Sequence, residues 1–221
     1  MNLFKPKINQ LAPNLEIKQW VQGSPSNVDQ EKGNVLLISV FQINCPGCFL
    51  YAFPEIIALY DSFQDQPFKV WGLATAFEDF DINILLNLEK LLRNGEVTGQ
   101  TLSALDQRGM LHEGKLTYKI PFPVAWDKIE KFEEDIDNSV DKLIKRDFPD
   151  FYNLPDSHKY TITEQVKFYF KNKRITSTSF DTYGLQGTPS TIFIDKKGFL
   201  RNRLFGAGHG LKQYVQNLLD E

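Results

Sequence analysis

Val35-Leu-Leu-Ile-Ser-Val-Phe-Gln-Ile-Asn-Cys-Pro-Gly-Cys48 is the stretch that decides the fold of this chain of 221 residues. Its first seven residues, Val35–Phe41, form a nearly continuous apolar run, which is typical of a buried central strand. Asn44 and the Cys45-Pro46-Gly47-Cys48 motif then interrupt the run. A helix is predicted to start within the motif, because Pro46 suits a first turn, where a missing N–H costs nothing.

An amphipathic helix is predicted after the motif, and a second buried strand after the helix. Apolar residues recur there at spacings of three and four, which places them on one helix face. They are Phe53, Ile56, Ile57, Tyr60 and Phe63. Pro54 lies inside this pattern, and we expect it to kink the helix. Phe68–Ala74 is a second apolar run, so the order predicts a βαβ unit with a parallel strand pair.

The carboxyl-terminal part predicts an antiparallel hairpin followed by a helix. Residues 190–194 are predicted as a strand, Asp195–Gly198 as the hairpin loop, and residues 199–205 as the returning strand. Apolar residues at helical spacing then define a terminal amphipathic helix. They are Leu211, Tyr214, Val215, Leu218 and Leu219. The whole order predicts an α/β fold with a central mixed sheet flanked by helices.

The region between these two parts, approximately residues 75–187, has a weaker pattern. We interpret residues 1–221 as a single domain that holds a long insertion there. The elements predicted within it are a helix over 79–93 stopped by Gly95, a short strand over 121–126 and a surface helix over 127–146. Thr161 and Glu164 have the spacing of a capping box. Residues 166–170 also alternate enough to form a strand, and both interpretations stay open.

The only two cysteines of the sequence are Cys45 and Cys48, and their spacing indicates chemistry rather than stabilisation. A bridge across three positions closes almost no loop, so it stabilises little through chain entropy. At a helix start, the free N–H groups and the helix dipole stabilise a thiolate, which is the nucleophile in disulfide exchange. We expect Cys45 to attack a substrate disulfide and Cys48, one turn further on, to resolve the mixed disulfide.

Several other kinds of protein are disfavoured by composition. A zinc site would need two ligands beyond the cysteines, but His112, His158 and His209 are isolated, so no metal or cofactor is expected. We interpret His209 as structural rather than catalytic. The formal net charge of −3 does not suggest a nucleic-acid partner.

The sequence gives an expectation for localisation as well. No apolar run approaches the ~18 residues that a membrane span needs. Met1 is not followed by the apolar region of a signal peptide. We therefore expect a cytoplasmic protein, or a periplasmic one if a leader has been removed.

Two of these segments resemble the thioredoxin superfamily. Residues 35–48 resemble the strand and active-site turn, and residues 183–198, which include Gly187-Thr-Pro-Ser190, resemble the segment that carries the cis-proline of that family. Residues 11–17 are similar to the entry of the TlpA-like and peroxiredoxin-like (AhpC/TSA, redoxin) branch. The resemblance implies a thioredoxin-like fold, with the long insertion between the βαβ half and the cis-proline ββα half.

The resemblance also implies how substrate is bound. Thr188 and Pro189 are expected to be joined by a cis bond that packs against the cysteine turn. The implied substrate-binding residues are Thr188, Pro189, Asn44, Pro46 and Gly47. The implied partners are a protein or small-thiol disulfide and a thiol electron donor, with the disulfide-reductase direction favoured over the oxidase direction.

The sequence departs from thioredoxin at three places near the motif. Ser39 stands where thioredoxin carries a buried acid, so a proton acceptor for Cys48 is unassigned, with Glu55 as a candidate. The residue before the first cysteine is Asn44 rather than Trp. Pro54 falls one residue later than the helix proline of thioredoxin, so the start of the helix is expected to differ.

Two alternatives to a disulfide oxidoreductase stay open. In typical peroxiredoxins, Pro and Thr or Ser stand seven and three residues before the reactive cysteine, whereas Ile38 and Gln42 stand there in this chain. The polar cradle for a peroxide is thus missing, although Gln42 and Asn44 offer hydrogen bonds. The second alternative is a non-catalytic redox-sensing or binding module whose insertion carries the function.

Overall fold

A computed structural model describes residues 6–133, 135–208 and 210–221, apart from the side chain at position 146. Its strands in chain order are β1 Ile17–Gln22, β2 Val35–Phe41, β3 Phe68–Ala74, β4 Leu111–His112, β5 Lys115–Leu116, β6 Val124–Asp127, β7 Ile129–Lys131, β8 Ile175–Ser177, β9 Ser190–Ile194 and β10 Leu200–Phe205. Its α-helices are α1 Phe53–Ser62, α2 Leu85–Asn94, α3 Gly99–Asp106, α4 Ile136–Asp147, α5 Asp156–Asn172, α6 Thr178–Thr182 and α7 Leu211–Asp220. Our interpretation of His209 concerns a residue outside the described part of the chain.

Six of the described strands form one mixed sheet in the order β1-β6-β3-β2-β9-β10. β2 pairs in parallel with β3, from Val35 opposite Phe68 to Phe41 opposite Ala74, and β3 pairs in parallel with β6. β9 pairs antiparallel with the other side of β2, while β10 and β1 are antiparallel edge strands. All seven residues of β2 are buried, as expected for a central strand covered on both faces. The predicted mixed α/β fold is confirmed.

Each face of the sheet has its own apolar core, because successive strand residues point to opposite faces. On one face Leu37 and Phe41 pack with Phe53 of α1, and the rings of Phe41 and Phe53 lie 4.8 Å apart between centroids. On the other face Ile38 packs in a cluster that contains Tyr183. The helix that carries the cysteine motif is therefore fixed to the first face by buried aromatic contacts.

The hairpin and the terminal helix form as predicted. The Asp195 carboxylate accepts the backbone N–H groups of Lys197 and Phe199, each at 2.9 Å, and so closes the loop. Gly198 has a φ of 86°, a backbone conformation that favours glycine. The buried side chains of α7 are Leu211, Val215 and Leu218.

The helix predicted over 79–93 begins later, at Leu85. Asp79 has a φ of 48°, in the left-handed region, so it cannot belong to a right-handed helix. The Asn83 side chain donates to a backbone carbonyl five residues earlier, which favours a turn over helix at this point. Gly95 ends α2 with a φ of 74°, as predicted.

The surface helix predicted over 127–146 is wrong in its first half. The short strand predicted before it is confirmed as β6, but β6 includes Asp127, which pairs with Ile17 of β1. The chain then continues into β7, which pairs with β8. α4 begins at Ile136, where the Asp135 carboxylate accepts a backbone N–H of the first turn at 2.9 Å. The region 75–187 thus supplies a strand to the central sheet.

The capping box predicted at Thr161 and Glu164 is also wrong, because both residues lie inside α5, whose first turn carries Asp156. The open question about residues 166–170 is settled in favour of helix. Val166 and Phe170, four positions apart, form its buried face.

β1 is an element for which the sequence gives no prediction. Its pairing with β6 is irregular, with register shifts between Ile17 and Gln19 and between Trp20 and Gln22. None of its residues is fully buried, so it lacks the continuous apolar run of a central strand.

None of the helices in the described part of the chain is long and apolar enough to cross a bilayer. The same residues contain no group of three or more His, Cys, Asp or Glu side chains that could hold a metal ion.

Candidate active site

The Cys45–Cys48 pair lies where β2 ends and a helix begins. Helical backbone starts at Pro46, and a disulfide joins the two cysteines with their Cα atoms 5.4 Å apart. The backbone N–H of Cys48 points at Sγ of Cys45, with the two atoms 3.3 Å apart. The same N–H also donates to the backbone carbonyl of Cys45 at 3.0 Å, so the carbonyl and the sulfur share it. The positive end of the helix favours negative charge on that sulfur as well.

The two cysteines differ slightly in exposure. Cys45 is 8% exposed and Cys48 is 1% exposed, and both belong to the apolar core that contains Phe49 and Phe53. Cys45 is therefore the more accessible residue of the pair.

The helix after the motif begins with a π-helical turn, Cys48–Ala52, in which the N–H of Phe53 donates to the carbonyl of Cys48. α1 follows directly, with Pro54 as its second residue, so helical backbone already precedes the proline and its missing N–H is not that of a free helix start. The irregularity near Pro54 is the extra residue of the π turn, which lies in front of the proline. A kink at Pro54 stays a prediction.

Tyr118, from the region between β5 and β6, reaches this π turn. Its hydroxyl donates to the backbone carbonyl of Phe49 at 2.7 Å. Burial raises the pKa of Tyr118 well above its usual range, so the hydroxyl keeps its proton and acts as a donor. The sequence gives no sign of this contact, because the partners are 69 positions apart.

Asn44, which precedes the first cysteine, is held by three hydrogen bonds within the protein. Its side-chain amide donates to Asp79 at 2.7 Å, and its side-chain oxygen accepts the N–H of Gln100 at 2.6 Å. Its backbone N–H donates to the side chain of Asn83 at 2.8 Å. Asn44 was predicted to bind substrate, but both ends of its side chain are used to fix the cysteine turn to the region 75–187.

Gln42 and Ile43, the next two residues towards β2, are tied to the same region. The Gln42 side-chain oxygen accepts the N–H of Phe77 at 3.0 Å and the side-chain amide of Asn83 at 3.3 Å. The Thr101 hydroxyl donates to the carbonyl of Ile43 at 2.7 Å. Gln42 is 1% exposed and its side-chain amide donates to Glu78 at 3.4 Å, so the hydrogen-bonding groups expected to face a peroxide are used inside the protein.

The Thr188–Pro189 bond is cis and faces the cysteine turn, as the resemblance implies. A β-carbon placed on Gly47 would lie 3.7 Å from Cδ of Pro189, an ordinary van der Waals contact. The carbonyl of Pro189 accepts the N–H of Gly206 at 2.8 Å, which fixes the end of β10 beside it. Pro46, Gly47 and Thr188 are partly exposed, so the structure brings these predicted binding residues to the surface around one point.

Phe205 is a further residue at this place that the sequence did not suggest. It is 56% exposed, and its ring lies over Gly187, where a β-carbon would come within 2.7 Å of the ring. In the sequence, Phe205 is marked only by standing directly before Gly206, and Gly187 only by standing two positions before Pro189. Neither feature indicates that the two residues are in contact.

Glu55, the predicted proton acceptor for Cys48, is directed elsewhere. Its carboxylate accepts the N–H groups of Gly208 at 3.3 Å and Leu211 at 3.4 Å, at the start of α7. A carboxylate in this position stabilises the positive end of that helix. Ser39 is buried in β2, 1% exposed.

Asp127 is a buried acid that the sequence analysis placed only in a surface helix. It is inaccessible to solvent and accepts the hydroxyl of Thr75 and the N–H of Ser179, both at 2.9 Å. Burial raises its pKa to about 6, against the opposing effect of these hydrogen bonds. Its carboxylate also accepts the backbone N–H of Phe180 in α6. Phe180 belongs to the apolar core on the face of the sheet opposite α1. Asp127 therefore lies across the sheet from the cysteine-bearing helix.

These features together define a thioredoxin-like fold: a mixed sheet, a Cys-Pro-Gly-Cys turn at the start of a helix, and a cis-proline that faces the turn. Among solved structures, the chain is similar to a thiol-disulfide isomerase from Corynebacterium glutamicum, with a TM-score of 0.60 and 21% identity over 96% of this chain and 97% of that one. It is also similar to a thioredoxin-like superfamily protein, with a TM-score of 0.59 and 22% identity over 96% and 97% of the two chains. At these identities the likeness establishes the fold. No protein-family model and no curated protein matches the sequence.

Proposed function

We propose that this protein is a thiol-disulfide oxidoreductase. The observation that carries the proposal is the Cys45–Cys48 disulfide at the start of a helix, opposite cis-Pro189, with Cys45 the more exposed of the two residues. The thiol-disulfide isomerase named above shares the fold over nearly its whole length, which supports the same class of chemistry.

The reaction begins from the reduced pair. The Cys45 thiolate attacks one sulfur of a substrate disulfide, forms a mixed disulfide, and releases the other substrate sulfur as a thiolate that takes up a proton. Cys48 then loses its proton and attacks Sγ of Cys45, which releases the second substrate thiol and leaves the pair oxidised. The substrate disulfide gains two electrons, the cysteine pair loses two, and an external thiol donor restores the dithiol.

The surroundings of Cys45 support binding of an extended polypeptide. Thr188 is partly exposed and precedes Pro189, so its backbone is available to pair with a substrate strand. Pro46 and Gly47 flank the nucleophile and leave room for the scissile disulfide. We propose a protein or small-thiol disulfide as substrate, and Thr188, Pro189, Pro46 and Gly47 as the surface that receives it.

The reductase direction is the one that we favour, in a cytoplasmic setting. The reduction potential of the pair decides the direction: values near about −270 mV are typical of thioredoxin, and values near about −120 mV are typical of strong oxidants. Equilibration of the protein with glutathione buffers gives this potential. A value close to that of strong oxidants would reverse the proposed direction without affecting the chemistry.

We further propose that residues 1–221 form one domain in which residues 75–187 are the part that varies between relatives. This region supplies β6, the contacts to Asn44, and the helix pair α4 and α5 with an apolar cluster of its own. Its contacts to the cysteine turn make it a suitable place for partner specificity.

Turnover tests the proposal against its rivals. Reduction of insulin by dithiothreitol and consumption of hydrogen peroxide are measured side by side, on the wild-type protein and on Cys45→Ser. We expect insulin reduction to be accelerated by the wild-type protein alone, with no peroxide consumption above background. Peroxide consumption without insulin reduction would favour a peroxidase. Absence of both activities would favour a binding module.

A further inference from the structure

We propose that Tyr118 is a positioning residue for Cys48: its hydroxyl holds the π-helical turn that keeps the resolving sulfur within reach of Cys45. This inference rests on the proposed oxidoreductase function. It concerns a residue outside the sequence motif, 70 positions beyond Cys48 in the chain, and is argued from the hydrogen bonds of the turn.

The π turn leaves the backbone carbonyl of Phe49 without a helical donor. In a π-helical register the carbonyl of Phe49 requires the N–H of residue 54, but residue 54 is a proline and has none. In an α-helical register it requires the N–H of Phe53, which already donates to Cys48. The hydroxyl of Tyr118, at 2.7 Å, supplies the missing donor.

The environment makes this contact obligatory. Phe49 is fully buried, and a buried carbonyl without a donor is strongly unfavourable. Without the Tyr118 hydroxyl, the Phe49 carbonyl gains a donor if the N–H of Phe53 changes its acceptor from the carbonyl of Cys48 to that of Phe49. This change converts the π turn to an α turn. The conversion removes the extra residue from the helix and rotates Cys48 relative to α1 and to Cys45.

The consequence falls on the resolving cysteine. A turn that holds Cys48 close to Cys45 raises the effective concentration of one sulfur at the other, which favours the disulfide and speeds the second step. Attack of Cys45 on an external disulfide does not use the Cys48 sulfur; only the backbone N–H of Cys48 lies near Sγ of Cys45, at 3.3 Å. Loss of the Tyr118 hydroxyl is therefore expected to slow resolution and to make the pair easier to reduce, with a smaller effect on the first attack.

Tyr183 provides a matched control. Its hydroxyl also donates to a backbone carbonyl, that of Pro13, at 2.5 Å, and burial raises its pKa in the same way. It lies in the core on the opposite face of the sheet from α1. Tyr118→Phe and Tyr183→Phe each lose one hydroxyl and one hydrogen bond, so both are expected to fold with similar losses of stability, and only the first acts on the cysteine turn.

Reaction of the reduced proteins with Ellman's reagent separates the two steps. Attack of Cys45 releases one coloured thiolate in a phase whose rate depends on reagent concentration. Resolution by Cys48 releases the second thiolate in a phase that does not. In Tyr118→Phe we expect the second phase to slow about tenfold and the first to change much less. We also expect the equilibrium with glutathione to shift about tenfold towards the dithiol, equivalent to about 30 mV.

The outcomes keep the two proposals apart. If Tyr118→Phe and Tyr183→Phe have the same second phase and the same glutathione equilibrium, Tyr118 has no positioning role and the inference is wrong. If the wild-type protein releases no second thiolate and does not equilibrate with glutathione, the oxidoreductase proposal itself fails, whatever the variants do.

Discussion

Gly47 and Pro189 face each other across the candidate active site: a β-carbon on Gly47 would lie 3.7 Å from Cδ of the proline. The gap is therefore wide enough for a methyl group. Gly47 also has ordinary helical angles, φ −61° and ψ −30°, so glycine is not required there by the backbone.

Gly47→Ala is accordingly expected to be tolerated. Replacing a glycine that has helical angles reduces the conformational entropy of the unfolded chain and stabilises a protein by about 0.4–1 kcal/mol. The free energy of unfolding in urea, with the disulfide intact, measures this gain. Insulin reduction is expected to slow, because the added methyl group occupies room that we assign to the scissile disulfide. A loss of stability would show that the space between the turn and Pro189 is smaller than described.

Gly99→Ala is expected to have the opposite effect. Gly99 has a φ of 60°, and a β-carbon there would overlap the side-chain oxygen of Asn44, next to Cys45. The left-handed conformation alone costs roughly 1–2 kcal/mol for a residue with a β-carbon, and the overlap adds to this. For Gly99→Ala we expect the unfolding free energy to fall by more than the cost of the left-handed backbone alone. We also expect slower insulin reduction.

Gly109→Ala is the matched control for that variant. Gly109 has a φ of 63°, and nothing lies within 4 Å of a β-carbon there. It therefore carries the same backbone strain without the contact to Asn44. Equal effects of the two alanines on stability and on insulin reduction would mean that the Gly99–Asn44 approach plays no part in fixing the cysteine turn.

Asp127 predicts a pH dependence of stability. Its pKa is raised from 3.8 to about 6 in the folded protein, so folding favours the protonated acid. The folded state binds more protons than the unfolded state between these values, and this contribution to stability falls as the pH rises from about 4 to about 6. A shift of this size corresponds to roughly 3 kcal/mol, as an order of magnitude.

Urea unfolding of the wild-type protein and of Asp127→Asn, from pH 4 to pH 7, measures this effect. The amide introduced by the substitution cannot titrate. The unfolding free energy of the wild type, relative to that of the variant, should therefore decrease as the pH rises through that window. A difference that is constant across the window would show that Asp127 has the same pKa in both states.

The sequence was sufficient wherever a local pattern decides the structure. The apolar run of β2, the cysteine motif and the Asp195–Gly198 loop each lie within a few consecutive residues, and all form as predicted. The same is true of α7, whose apolar spacing alone identifies it.

The contacts that fix the site could not be predicted in this way, because they join distant parts of the chain. Asn44 meets Gln100, Phe49 meets Tyr118, and Asp127 meets Ser179, none of which is marked by spacing or composition. The π turn lies beside both Pro54 and that distant hydroxyl. A pattern confined to neighbouring residues shows the proline but not the hydroxyl.

The claim on which the account depends most is that Cys45 is the nucleophile and Cys48 the resolving cysteine. Cys48→Ser, reduced and mixed with insulin, tests it directly by mass spectrometry under non-reducing conditions, with Cys45→Ser treated in the same way. We predict a covalent adduct on Cys45 in the first variant that dithiothreitol releases, and no adduct in the second. An adduct of equal yield in Cys45→Ser, or none in either variant, would contradict the account.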